Sequence, residues 1–103
     1  MTDHVYFFDN QHGKPFMARL VRKGESYGLN RCLTHNESDP LVEFYAVNEK
    51  RNQFVSRYYL STLNEHDLDC GICLDGGIPA WTISAENAEY VIGHCNETMA
   101  LEA

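Results

Sequence analysis

Residues 84–99 read SAENAEYVIGHCNETM, and this run has the plainest helical pattern in the chain. Ala88, Val91, Ile92, Cys95 and Met99 recur at three- and four-residue spacing, which lines one side of an α-helix with apolar groups. Ser84 is a good N-cap, and Glu86 and Glu89 fall in the early turns, where the helix dipole favours carboxylates. Gly93 costs about 1 kcal/mol inside a helix, so a close packing partner is expected there. A helix with a single apolar stripe needs a surface to cover, and the preceding residues supply one.

Upstream, the pattern changes to alternation. Residues 4–9 are aromatic and β-prone, and the turn-forming run 10–15 follows, with Gly13 free to take positive φ. In 16–22, Phe16, Ala18 and Leu20 face one way and Met17, Arg19 and Val21 the other, so the two segments form a hairpin. Residues 24–39 read as irregular or as a short strand. Residues 41–47 have strongly β composition, and 48–52 form a polar loop.

Residues 54–63 fit two patterns. Val55, Tyr58, Tyr59, Thr62 and Leu63 match a helical stripe, but the residue types prefer a strand. The strand reading puts Phe54, Tyr58 and Leu60 on one face and Arg57 and Tyr59 on the other. An acidic turn over 64–69, a short strand at 72–74 and the turn Asp75, Gly76, Gly77 complete the order. The expected fold is α+β: one domain over 1–103, an antiparallel β-sheet of about four to six strands with one C-terminal amphipathic helix packed on it.

Composition supports a folded globule, since 44% of the 103 residues are hydrophobic and twelve are Phe, Tyr or Trp. There is no positive-then-apolar leader and no apolar run approaching the ~20 residues of a membrane span, so a cytoplasmic, soluble protein is expected. In that setting the four cysteines are thiols or metal ligands rather than disulfides.

Charge is unevenly placed. Residues 1–57 carry all eight Lys and Arg against seven acids, about +1. Residues 58–103 carry eight acids and no Lys or Arg, so the net −7 of the chain originates there. Such a field repels phosphates and anionic lipid and attracts basic surfaces. Glu65, Asp67, Asp69 and Asp75 occupy the turns, while Glu86, Glu89 and Glu97 lie on the helix face opposite its apolar stripe. Tyr58, Tyr59 and Trp81 are residue types that anchor interfaces.

The expected function is non-enzymatic: a small acidic binding protein that docks on a basic surface of another protein. Its sharpest form is a nucleic-acid-mimicking inhibitor of a nucleic-acid-handling enzyme. The partner-binding candidates are Glu65, Asp67, Asp69, Asp75, Glu86, Glu89, Glu97, Tyr58 and Tyr59. A homodimer through the uncovered sheet face is a further expectation.

Two alternatives rest on the cysteines. Cys70 and Cys73, with Cys32 and His35 at the same spacing, offer four donors for a structural zinc. However, residues three apart on a strand diverge, and free cysteines are commonly buried, so Cys32, Cys73 and Cys95 read as core residues and Cys70 as near-surface. His94 then faces outward. An enzyme with a Cys–His site is the other alternative. A thiol-redox role is disfavoured by Asp67, Asp69 and Asp75 around the Cys70 pair, which oppose thiolate formation. No catalytic set, cofactor or metal is assigned. Arg19, Arg22, Lys23 and Arg31 accompany Tyr6, Phe7, Phe8, Phe16 and Tyr27 in a pattern that suits single-stranded nucleic acid. Against a pI near 5.0, it reads instead as a solvated strand face over an aromatic core, and no direct nucleic-acid binding is expected.

Overall fold

Among the described residues the chain forms six strands and one long helix. In the structure of the protein, a computed structural model, residues 4–65 and 83–102 are described. The strands are β1 (His4–Asp9), β2 (Pro15–Val21), β3 (Ser26–Tyr27), β4 (Leu33–Thr34), β5 (Leu41–Ala46) and β6 (Gln53–Tyr59), and the helix is α1 (Ala85–Glu102). The main sheet has the order β1-β2-β5-β6 and is antiparallel throughout. It is an α+β fold, with α1 across one face of the sheet.

The hairpin between β1 and β2 is set by Asn10. Its Oδ1 accepts hydrogen bonds from the amides of His12 and Lys14, at 2.9 and 2.8 Å, and Gly13 takes φ 77°. This side-chain turn fixes a register that pairs Phe8 with Phe16 and His4 with Leu20. Phe16, Ala18 and Leu20 then share a face with Val42, Phe44 and Ala46, and all six are buried. Val91 and Cys95 of α1 close over them, as the apolar stripe requires. The helix starts as expected: the Asn87 amide donates to Ser84 Oγ at 3.1 Å, and Asn87 Oδ1 accepts from the Ser84 amide in return.

The ambiguous residues 54–63 divide between strand and 3-10 helix. β6 runs to Tyr59 and a 3-10 segment follows over Leu60–Glu65. The face assignment within β6 is corrected by a bulge, because Phe44 pairs with Ser56 while Tyr45 pairs with Phe54. The extra residue, Val55, is buried, and Phe54 is turned onto the face of Arg57, away from Tyr58.

Residues 24–39 form the β3–β4 ribbon with a 3-10 turn, Leu29–Arg31, at its tip. The ribbon lies on the sheet face opposite α1: Arg19 Nη2 donates to the Ser26 carbonyl at 2.8 Å, and Arg57 sits over the Tyr27 ring. Arg19 and Glu43 on that face are therefore buried, at 3% and 0% exposure. Arg19 is a buried ion-pair member, where the alternation alone made it solvated. The ribbon also leaves less of this face open to a second copy of the chain.

Other expectations change. Cys32 is exposed on the ribbon rather than buried. His94 is half-buried, stacked on Tyr6 with centroids 5.5 Å apart, rather than solvated. Among the described residues nothing lies within 4 Å of a Cβ placed at Gly93, so close packing between them is not the reason for glycine there. The expected strand at 72–74 and the turns around it lie outside the described residues. No helix among the described residues is long and apolar enough to cross a membrane.

Candidate functional site

The helix carboxylates stand where the period of α1 puts them. Glu86, Glu89 and Glu97 are exposed on the side away from the sheet. Among the described residues none of the three is in an ion pair. Glu89, Gly93 and Glu97 form one row at i, i+4 and i+8, about 12 Å long. Gly93 leaves a shallow depression there, of about 290 Å³, walled by Tyr90 and His94. Tyr90 is 44% exposed and its ring meets His94 edge-on at 4.4 Å.

The remaining predicted residues do not join this surface. Tyr58 packs against Phe44 at 6.5 Å between centroids and is half-buried; burial raises its pKa. Tyr59 is exposed on the opposite sheet face, where its hydroxyl donates to Glu37. Glu65 ends the 3-10 segment, and Asp67, Asp69, Asp75 and Trp81 lie outside the described residues. Glu102 is an acid that the fold pairs with a cation distant in sequence. Arg22 bonds it and His4 Nε2 lies 3.2 Å away, and the Arg22 hydrogen bond holds its carboxyl below the usual range.

The cysteine sites are only partly described. His35 is buried, its Nε2 2.6 Å from the Asp39 carbonyl oxygen, whereas Cys32 is exposed. Among the described residues no three potential ligands cluster; Cys70 and Cys73 lie outside them. Burial pushes the Cys95 thiol up to about 12, so it is a core group and not a nucleophile. Iodoacetamide at about pH 8 is expected to label Cys32 and to spare Cys95 until the chain is unfolded, which peptide mass mapping would check.

A second site was missed by the sequence reading. Glu43, on the buried strand β5, receives Arg19 Nη1 at 2.9 Å and the Tyr45 hydroxyl at 3.0 Å on Oε1. Its Oε2 receives Arg57 Nε and Nη2 at 3.0 and 2.8 Å, with the Gly28 amide at 3.4 Å. Burial alone would raise the Glu43 pKa. The hydrogen bonds from Arg57, Tyr45 and Arg19 and the Arg57 charge outweigh it, and the carboxyl is held below its usual range. The signal was present in the sequence: Arg19 lies between Ala18 and Leu20, and Glu43 between Val42 and Phe44, charges inside two apolar strands.

Beside this network the ribbon tip and the β5–β6 loop enclose a cleft of about 570 Å³. Arg31, Arg51, Arg57, Tyr45 and Phe54 are among its lining residues, and no carboxylate among the described residues joins them. Asn30 and Arg31 on its rim both take left-handed backbone, at φ 57° and 55°. For non-glycine residues this costs on the order of 1 kcal/mol or more each.

No family model matches this chain, and no curated protein or solved structure matches it either. Function has to follow from these surfaces.

Proposed function

We propose that the chain is a non-enzymatic binding protein that docks the outer face of α1 on a basic surface of another protein. The row Glu89, Gly93, Glu97 carries the reading. Open space over Gly93 lies between two carboxylates that have no ion-pair partner among the described residues. A guanidinium or ammonium seated there would be about 6 Å along the helix from each carboxylate position, inside the ~8 Å screening length at physiological salt. The Tyr90 ring beside it supplies apolar contact and a cation–π face. Occupation of the basic groove of a nucleic-acid-handling enzyme is the sharpest form of this role. In this role the chain acts in the cytoplasm, where its thiols stay reduced.

Titration with protamine at two salt concentrations tests the surface. Replacing Glu86, Glu89 and Glu97 together by Lys is expected to weaken binding roughly a hundredfold, about 2.7 kcal/mol, with the melting curve little changed. The loop reversal Glu49→Lys should cost far less. Equal losses from the two variants would sink the assignment of the helix face. Gly93→Ala separates stability from docking: it should stabilise the helix by about 1 kcal/mol while weakening binding, because the methyl fills the depression.

A further inference from the structure

We propose that the cleft between the ribbon tip and β5–β6 binds a small ligand that joins a flat ring to an anion, the chemistry of a nucleoside monophosphate. This site lies on the sheet face opposite α1 and is independent of the docking role. Among the described residues the lining carries three guanidiniums, those of Arg31, Arg51 and Arg57, and no carboxylate. In a protein of net charge −7, that local excess selects an anion.

The cation nearest the network is held in place. Glu43 pairs with the guanidiniums of both Arg19 and Arg57. Arg57 spends Nε and Nη2 on Glu43, and its side chain, still 29% exposed, is one of the residues that line the cleft. Its Nη1 is not used by Glu43. A guanidinium clamped in this way presents its remaining donors in a fixed geometry, which suits phosphate or carboxylate oxygens. Arg51 at the cleft mouth adds a second, solvent-facing charge.

The ring half of the ligand follows from the aromatic residues. Phe54 is 41% exposed because the bulge turned it out of the core. Arg57 lies 4.9 Å over its centroid, and Tyr45 meets it edge-on at 5.8 Å. This is a flat apolar wall next to donors, and a base-sized ring can stack on it. The cleft volume falls within the roughly 300–1,000 Å³ of small-molecule sites.

An NMR titration of the full chain tests the assignment, with AMP, adenosine, inorganic phosphate and 2-naphthoate as probes. AMP is expected to saturate with a Kd on the order of 10–100 µM and to shift the amides of Gly28, Arg31, Arg51 and Phe54. Adenosine or phosphate alone should bind at least about tenfold more weakly. Arg51→Ala should weaken AMP at least about tenfold with no change in melting temperature, and Phe54→Ala should weaken it similarly. Tighter binding of 2-naphthoate than of AMP would keep the site and assign it to aromatic carboxylates. No saturation by any probe, shifts mapping elsewhere, phosphate binding as tightly as AMP, or indifference to both substitutions would each overturn the proposal.

Discussion

Glu43→Gln is expected to lower the stability of the folded chain by roughly 3–5 kcal/mol. Glutamine keeps the shape and the acceptor oxygen but removes the charge that compensates two guanidiniums. Arg19 is only 3% exposed, so water cannot take over that role. Domains of this size are stable by about 5–15 kcal/mol, which makes the loss a large fraction of the total. Replacing the members of the network together by apolar residues is expected to cost less, because no buried charge is then left behind. Urea unfolding checks this: the midpoint should fall with an unchanged slope. A shift below about 1 kcal/mol would mean that the network is far better hydrated than its geometry implies.

The same carboxylate governs the response to acid. The folded pKa of Glu43 lies below its unfolded value of about 4.3. The stability it contributes is therefore complete above that unfolded value and is lost as pH falls through the folded pKa. Glu25, whose carboxyl is also held low, acts in the same direction: burial opposes the shift, and the Arg22 hydrogen bonds overcome it. Stability should fall below about pH 4, and the difference between the native chain and Glu43→Gln should narrow over the same range.

Alternation placed β2 and the 3.6-residue repeat placed α1, while β-prone composition was enough for β1 and β5. The ribbon over residues 24–39 was not legible. It is held by groups distant in sequence, such as Arg19 on the Ser26 carbonyl and the Gly28 amide on Glu43, and not by its own pattern. The basic cleft was hidden for the same reason. Arg31, Arg51 and Arg57 are scattered along the chain, and only the ribbon tip and the β5–β6 loop bring them together. The exposed helix carboxylates were legible, since one element fixes all three. The pairing of Glu102 with Arg22 was not legible either, because that contact spans most of the chain.

Phe44→Ala is expected to cost about 3–5 kcal/mol, whereas Phe54→Ala should cost under about 1 kcal/mol. The two phenylalanines sit on neighbouring strands, and unbroken alternation would put Phe54 on the core face with Tyr58. Phe44 is fully buried on the inner strand β5, edge-on to Phe8 at 6.3 Å and to Tyr58 at 6.5 Å. Truncation there removes the apolar burial and leaves a cavity between sheet and helix. The bulge at Val55 makes the difference, because one extra residue in β6 reverses which side chains face α1. For a domain of about 100 residues each kcal/mol moves the melting temperature by roughly 4–8 °C, so thermal unfolding separates the two variants clearly. Equal losses would place Phe54 in the core, remove the bulge and take away the aromatic wall of the cleft. A large loss for Phe44→Ala alone would leave Phe54 as a surface ring on the wall of the cleft.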